Sequence, residues 1–109
     1  MDPVTIHDLV DLWPDSHGEP YTLIEQDDPT GQVGSYVIEP GERVPPSGTT
    51  SHEGAEISVI LEGELKLVTD EEYRLGAGSV VILQPGVEHW SENVGDEPAR
   101  LIYTILGEI

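Results

Sequence analysis

Residues 50–63 read TSHEGAEISVILEG and residues 78–93 read GSVVILQPGVEHWSEN. In each segment, β-branched and apolar residues stand next to glycine or proline, a pattern typical of short strands and tight turns. The two segments also carry two histidines and a glutamate, His52, His89 and Glu56. Imidazole and carboxylate groups on a strand framework suit Fe, Mn, Ni, Cu or Zn. These three residues are therefore the candidate ligands of a divalent transition metal.

The spacing of His52 and Glu56 requires a turn between them. In one extended strand their Cα atoms would lie about 13 Å apart, too far for both side chains to reach one metal at about 2 Å. We therefore expect a turn at Gly54, whose backbone is the least restricted. From Glu56 onward, alternation predicts that three side chains face inward, those of Glu56, Ser58 and Ile60. His89 must arrive from a distant strand, with Trp90 on the opposite face.

From Tyr21 onward, short β-rich segments alternate with turn residues such as Gly, Pro and Asp. Strands are predicted at residues 21–25, 34–38, 56–61, 64–69, 73–75, 79–83, 89–93 and 100–106. Many short strands at this spacing indicate an antiparallel sandwich or barrel, so the predicted fold class is all-β. We expect residues 21–109 to form this single domain.

Residues 1–20 are predicted to form one short helix and a lead-in segment. Apolar residues at positions 6, 9, 10 and 13 have helical spacing. Thr5 and Asp8 resemble a capping box, and Pro14 is expected to end the helix. His7 and His17 are expected to face solvent.

Two runs, residues 57–61 and 80–83, are apolar at consecutive positions. Strands that are covered on both faces have this pattern. In a single barrel the outer face needs a cover, either the N-terminal helix or another subunit. Because one short helix hides little area, we expect a homodimer.

Acidic residues outnumber basic residues by 22 to 4, which gives a formal net charge of -18. Such a surface is a poor partner for nucleic acid or an anionic membrane. The acids are spread over the predicted turns, which indicates a solvated coat. Two interpretations remain open. In the first, the protein comes from a salt-accumulating halophile, where about 1 M salt shortens the screening length to about 3 Å and weakens repulsion between the acidic side chains. In the second, it is an ordinary acidic protein.

Three absences narrow the class of protein. The chain has no cysteine, which excludes disulfides and thiolate ligands. No apolar run approaches the roughly 20 residues that cross a bilayer. The start, Met1-Asp-Pro-Val4, has neither the basic nor the apolar part of a signal peptide. We therefore expect a cytoplasmic protein without a membrane partner.

Around the candidate ligands the chain resembles the cupin superfamily, in particular the small single-domain cupins. The family's first motif, G(X)5HXH(X)3-4E(X)6G, corresponds to Thr50-Ser-His52, three residues, Glu56, six residues and Gly63. Its second motif, G(X)5PXG(X)2H(X)3N, corresponds to Gly78, five residues, Gln84-Pro-Gly86, two residues, His89, three residues and Asn93. The resemblance implies a double-stranded β-helix, or jelly-roll, barrel, usually dimeric, with a metal inside the barrel mouth.

Two motif positions differ in this chain. Thr50 replaces the first motif histidine, and Gln84 replaces the motif proline, with Pro85 displaced by one. The remaining set of two histidines and one carboxylate resembles the facial triad of non-haem Fe(II) oxygenases. Alternatively, Thr50 marks decay of the site. Besides the ligands, Thr50, Gln84 and Tyr36 are candidate pocket residues, although the strand face of Gln84 is undetermined.

The remaining prominent side chains receive structural interpretations. Trp13, Trp90 and Tyr103 are predicted to be core or dimer contacts. Arg43 and Arg100 are predicted to neutralise neighbouring acids.

Three functions remain open, and the sequence does not decide whether the protein is an enzyme. The first is a metal-dependent enzyme of dioxygenase, isomerase or lyase type, whose ion acts on a small polar molecule. The second is a non-catalytic module that binds a small ligand or a metal. The third is a structural barrel with a degenerate metal site. No other catalytic motif competes with the metal site.

Overall fold

The computed structural model describes residues 8–27 and 29–108. These residues form a helix, α1 (Leu9–Leu12), a 3₁₀ turn (Trp13–Ser16) and nine strands. The strands are β1 (Tyr21–Asp27), β2 (Thr30–Ile38), β3 (Arg43–Val44), β4 (Ala55–Glu62), β5 (Glu64–Val68), β6 (Glu72–Gly76), β7 (Val80–Leu83), β8 (Trp90–Asn93) and β9 (Ala99–Leu106). All pair antiparallel, in a five-stranded sheet β1-β2-β9-β4-β7 and a four-stranded sheet β3-β8-β5-β6. The predicted all-β fold class is confirmed.

The N-terminal helical segment packs on the outer face of β2. Asp8 caps α1 by accepting a hydrogen bond from the Val10 N–H at 3.0 Å. Ser16 at the end of the 3₁₀ turn is fully buried and shares a hydrogen bond with buried Ser35 of β2. Asp8 is thus the N-cap itself, whereas the predicted capping box placed it inside a helix that begins after Thr5. Thr5 and His7 lie outside the described residues. No described helix is long and apolar enough to span a membrane.

The eight predicted strands are all present, and one strand was missed. The missed strand, β3, has only two residues, which pair with Glu92 and Ser91 of β8. It lies between Gly41 and Pro45, so the sequence there is dominated by turn residues and offers no alternation to detect.

The core lies between the two sheets. It contains seven buried residues, Ile38, Ile60, Leu65, Ala99, Leu101, Tyr103 and Ile105, and full burial of an aliphatic side chain stabilises a fold by about 1.5–3 kcal/mol. Asn93, the motif asparagine, connects this core to the turn before β9. Its amide donates to Ile38 O and Glu97 O at 2.8 Å each, and its side-chain oxygen accepts from Gly95 N–H at 2.8 Å.

Cross-strand register arranges the inner face of the five-stranded sheet in rows. The first row is Gln32, Ile105, Glu56 and Leu83; the second is Gly34, Tyr103, Ser58 and Val81; the third is Tyr36, Leu101 and Ile60. The predicted inward face of Glu56, Ser58 and Ile60 is therefore confirmed. Glu56 lies at one end of the cavity between the sheets, and the next two rows extend from it.

Outward-facing residues of β4, β7 and β9 form an apolar patch that none of the described residues covers. Val80 and Ile82 are each 61% exposed, and Ile57, Val59 and Ile102 beside them are partly buried. These outward positions carry no acidic side chain, although the chain has 22 acidic residues. The helical segment covers β2 instead, so a cover for this face is not supplied by the described part of the chain.

Candidate metal centre

His52, Glu56 and His89 converge at one end of the space between the sheets. Their candidate ligand atoms all lie within 4.8 Å of one another. His52 Nε2 lies 3.0 Å from Glu56 Oε1, and His89 Nε2 lies 3.9 Å from Glu56 Oε2. Atoms that share one ion at about 2.1 Å lie about 3.0–3.5 Å apart, so small side-chain rotations bring all three onto one ion. Two nitrogens and one oxygen suit a divalent first-row metal.

The turn predicted between His52 and Glu56 is present, but its glycine is required for another reason. Gly54 is not among the residues with positive φ. Its N–H donates to Glu108 O at 2.8 Å, and a Cβ at this position would lie 2.3 Å from Leu106 O. Because Gly54 has no side chain, the start of β4 can lie against the end of β9. This contact sets the position of the turn and therefore of His52.

Backbone hydrogen bonds hold His89 opposite Thr50. Each residue donates its N–H to the carbonyl oxygen of the other at 2.9 Å. Gly86 N–H donates to His52 O at 2.8 Å, which joins the second-motif turn to the first ligand. His89 Nδ1 lies 3.0 Å from Val87 O. A proton on Nδ1 satisfies this carbonyl and leaves the Nε2 lone pair free for an ion.

The ligand set contains one buried atom without a partner. His52 Nδ1 is buried and makes no hydrogen bond to the described residues. An unsatisfied buried polar atom costs about 1–3 kcal/mol. Because His52 Nε2 is the nitrogen that faces Glu56, an ion would take Nε2 and leave the ring proton on Nδ1; the fit to a metal rests on the donor set of two imidazole nitrogens and one carboxylate.

The three side chains lie in the wall of a cavity of about 460 Å³ that opens to solvent. Most of the wall is apolar, formed by Pro20, Ile38, Val44, Pro45, Pro46, Ile60, Leu65, Leu67, Leu75, Val81, Leu83, Leu101 and Ile105. The polar lining residues besides the ligand set are Gln32, Tyr36, Thr50, Ser58, Ser91 and Tyr103. Among the described residues, no lysine or arginine lines the cavity.

The two phenols in the cavity are held in the neutral form. Burial is the main cause that raises the pKa of Tyr103, the Glu56 carboxylate raises it further, and a hydrogen bond with Thr22 opposes them. Burial also raises the pKa of Tyr36, with the Glu42 carboxylate as the next cause. Because deprotonation is disfavoured in both, each offers an O–H donor at neutral pH.

The fold and the ligand set can now be compared with known proteins. The profile of the cupin domain matches residues 34–105. The chain belongs to the cupin family. The matched range contains all three candidate ligands, which confirms the resemblance inferred from the two motifs. No functionally curated protein gives a significant match.

Several solved structures are similar to this cupin. A double-stranded β-helix protein from Klebsiella pneumoniae is 22% identical, with a TM-score of 0.77 over 96% of this chain and 91% of its own. A Thermus thermophilus protein is 23% identical, with a TM-score of 0.75 over 95% of this chain and 99% of its own. A cupin 2 conserved barrel protein from Salinispora arenicola is 26% identical, with a TM-score of 0.69 over 95% and 87%. These similarities establish the double-stranded β-helix fold.

Two of the three predicted pocket residues of this cupin line the cavity, and one does not. Thr50 and Tyr36 are lining residues, whereas Gln84 is exposed in the turn after β7. Gln84 was a candidate whose strand face the sequence left undetermined, and in the structure it is not part of the cavity wall. Val81 and Leu83 face the cavity, so alternation directs the even-numbered Gln84 to the outer side.

Tyr103, predicted to be a core or dimer contact, belongs to the core and also lines the cavity. It lies between Gly34 and Ser58 on the neighbouring strands. A Cβ at Gly34 would lie within 2.3 Å of the Tyr103 hydroxyl oxygen, so this glycine leaves room for the ring. The signal that identifies Tyr103 is the inward parity of β9, where alternate residues are buried.

Trp90 faces away from the cavity, as predicted. Its ring lies 4.2 Å from the Arg43 guanidinium and 5.1 Å from the Lys66 ammonium. Arg43 also donates to Gly48 O at 2.8 Å. Arg43 therefore stabilises the loop that leads to Thr50. Its predicted role was to neutralise neighbouring acidic side chains. Arg100 pairs with the Glu62 carboxylate and matches that prediction.

Proposed function

We propose that this cupin binds one divalent transition metal through His52, Glu56 and His89. The observation that carries the proposal is the approach of their ligand atoms to within 4.8 Å in the cavity wall. Three protein ligands leave coordination positions open for water and for a small molecule. The donor set is compatible with Fe, Mn, Ni, Cu or Zn.

We infer that the site supports a metal-dependent enzyme. When bound, the ion supplies Lewis-acid activation of an oxygen-bearing molecule, or O₂ chemistry if it is iron. Thr50 lies beside His89 in the cavity wall and is placed to hydrogen-bond a water or a bound molecule. The apolar walls lower the local dielectric constant, which strengthens polar interactions inside the cavity.

A specific observation favours a second candidate, a non-catalytic module that binds a metal or small ligand. Apart from the three ligands, the titratable side chains that line the cavity are Tyr36 and Tyr103. Both are held neutral, so the described lining offers no free carboxylate, imidazole or amine as a general base. Chemistry at this site would then depend on the ion alone. A structural barrel that binds no metal is the third candidate.

Metal content separates the binding proposals from the structural one. The protein is purified without chelator or metal-affinity resin, and elemental analysis is expected to give about one ion per chain. His89→Ala should lose the metal while the circular dichroism spectrum is kept. His17→Ala is the matched control, because His17 pairs with Glu39 outside the cavity. Metal-free wild-type protein that does not take up Zn²⁺ would contradict the proposal, as would full retention of metal by His89→Ala.

We also propose that a second copy of the chain covers the apolar outer face of β4, β7 and β9. The outward residues of this face are all apolar, although the chain has a net charge of -18. They are Ile57, Val59, Val80, Ile82 and Ile102. Two copies that meet through it in a two-fold arrangement bury apolar surface and keep their carboxylates at the rim. That arrangement minimises repulsion between two strongly acidic subunits.

A further inference from the structure

The side chains that line the cavity supply no positive charge apart from a bound ion. Among the described lining residues there is no lysine or arginine. The two lining histidines, His52 and His89, both direct Nε2 at Glu56, and an imidazole that binds a metal is neutral. A divalent ion held together with the single carboxylate of Glu56 therefore leaves one net positive charge, which is the only one that the described wall offers to a ligand.

This single charge sets a preference for the charge of the ligand. Most of the lining residues are apolar, and a buried charge without a partner is strongly disfavoured. A ligand with one negative oxygen on the ion balances the net charge, whereas a neutral ligand leaves one positive charge and a dianion leaves one negative charge. The net charge of -18 on the chain does not reverse this preference, because exposed charges more than about 8 Å away are largely screened at physiological ionic strength.

The part of the cavity away from the ion opposes a second negative group. Tyr36 and Ile60 belong to one row of the five-stranded sheet, two rows from Glu56. Burial raises the pKa of Tyr36, and the Glu42 and Glu19 carboxylates raise it further, which indicates a negative potential at this part of the wall. Ile60 beside it is a buried aliphatic side chain that also lines the cavity. A ligand that extends from the ion toward this row is therefore favoured if its body is apolar and uncharged.

We propose that the ligand of this cavity is a monoanion, with one negative oxygen that binds the ion and an uncharged, apolar body that lies against the aliphatic wall. A hydrophobic carboxylate and a hydrophobic enolate share this chemistry. The volume of about 460 Å³ lies within the range of about 300–1,000 Å³ for small-molecule sites. The sequence predicted a small polar molecule, and the proposed class keeps its polar end and adds an apolar body. It rests on the proposed function, because without an ion the described wall has no charge to pair with the anion.

Three naphthalene probes that differ in charge test this class. They are 2-naphthamide, which is neutral, 2-naphthoate, which has one charge, and naphthalene-2,6-dicarboxylate, which has a charge at each end. Their binding at pH 7 is measured by calorimetry on Zn²⁺-loaded protein, dialysed to remove unbound metal, and on chelator-treated protein. On the loaded protein, 2-naphthoate is expected to bind at least tenfold more tightly than either other probe, and removal of Zn²⁺ should weaken its binding at least tenfold.

The outcomes separate the ligand class from the metal site. If the loaded protein binds 2-naphthamide or the dicarboxylate as tightly as 2-naphthoate, or binds none of the three at 1 mM, the ligand class is wrong and the metal site stands. Equal binding of 2-naphthoate with and without Zn²⁺ also overturns the class, because the ion would then not be the partner of the anion. A protein that takes up no Zn²⁺ refutes the proposed function, and the ligand class fails with it.

A lysine added to the cavity wall should change the preferred charge. Gln32 lines the cavity in the row of Glu56, and its amide donates a hydrogen bond to Thr22 at an exposed position. Gln32→Lys should therefore improve binding of the dicarboxylate relative to 2-naphthoate about tenfold, because the added ammonium balances the second carboxylate. Gln26→Lys is the matched control, since it adds the same charge at an exposed residue that does not line the cavity. If both variants show the same charge preference, the charge of the wall does not select the ligand, and the proposal is wrong.

Discussion

Replacing Gly54 with alanine is expected to weaken both the fold and the metal site. The added Cβ would lie 2.3 Å from Leu106 O, 2.8 Å from Leu106 C and 3.0 Å from Gly107 Cα. These are backbone atoms that cannot rotate away, so the start of β4 and the end of β9 must separate by about 1 Å to reach contact at about 3.5 Å. Overpacking of this kind costs about 1–3 kcal/mol, which lowers the melting temperature by about 5–20 °C.

The same displacement should also shift the metal ligands, because Gly54 lies midway between His52 and Glu56 in the chain. Their facing atoms are now 3.0 Å apart, and a shift of about 1 Å disturbs the supporting geometry of the site. Loss of such support lowers metal affinity by about 10- to 100-fold. Thermal melts followed by circular dichroism and competitive Zn²⁺ titrations measure the two effects.

Gly76→Ala is the matched control for this experiment. A Cβ at Gly76 meets no atom within 4 Å, so its free energy of unfolding should stay within about 0.5 kcal/mol of the wild-type value. If Gly54→Ala has the same melting temperature as Gly76→Ala and binds Zn²⁺ as tightly as the wild type, the close approach of β4 and β9 does not position His52. That result would refute the reasoning.

Two further predictions concern the surface. If the acidic coat is an adaptation to high salt, the melting temperature should rise between 0.1 M and 1 M KCl, because the screening length falls from about 10 Å to about 3 Å; equal melting temperatures would refute the halophile interpretation. If a second copy covers the outer face of β7, Val80→Glu should reduce the mass measured by light scattering from dimer to monomer. Val10→Glu, at a valine that is 75% exposed on α1, should leave the dimer intact. A wild-type monomer would refute the proposed dimer.

The candidate ligands were predictable because their constraints are local. Spacing within each motif places His52 and Glu56 on either side of a turn and His89 after another, and strand alternation then directs Glu56 inward. Each step uses neighbouring residues and backbone geometry. The folded chain brings these positions together with ligand atoms within 4.8 Å, whereas a metal role for them stays a prediction until the ion is measured.

The predictions at Gln84 and Tyr103 fell short for different reasons. Residues 80–83 are apolar at every position, so alternation cannot tell which parity of β7 points inward. In β9 the even positions include Arg100 and Thr104, whereas the odd positions are all apolar, so parity directs Tyr103 inward but does not distinguish a core residue from one that lines a cavity. Gly54 shows a second limit of prediction from sequence. Glycine is required at this position because of contact with Leu106, which is 52 positions away, and local spacing cannot predict such a tertiary contact.

Thr50 and the apolar cavity are consistent with one another under the proposed function. The backbone bridge to His89 places residue 50 beside the ligand set, and its side chain lines the cavity. A histidine at this position, as in the family motif, would give a fourth protein ligand and occupy coordination space on the cavity side. Threonine is too short to reach an ion held by the three ligands, so it leaves this space to the oxygen of an incoming molecule. The apolar body of that molecule then lies against the apolar cavity wall. The same substitution that suggests decay of the site in the sequence therefore favours, in the folded chain, a site that is open to a ligand.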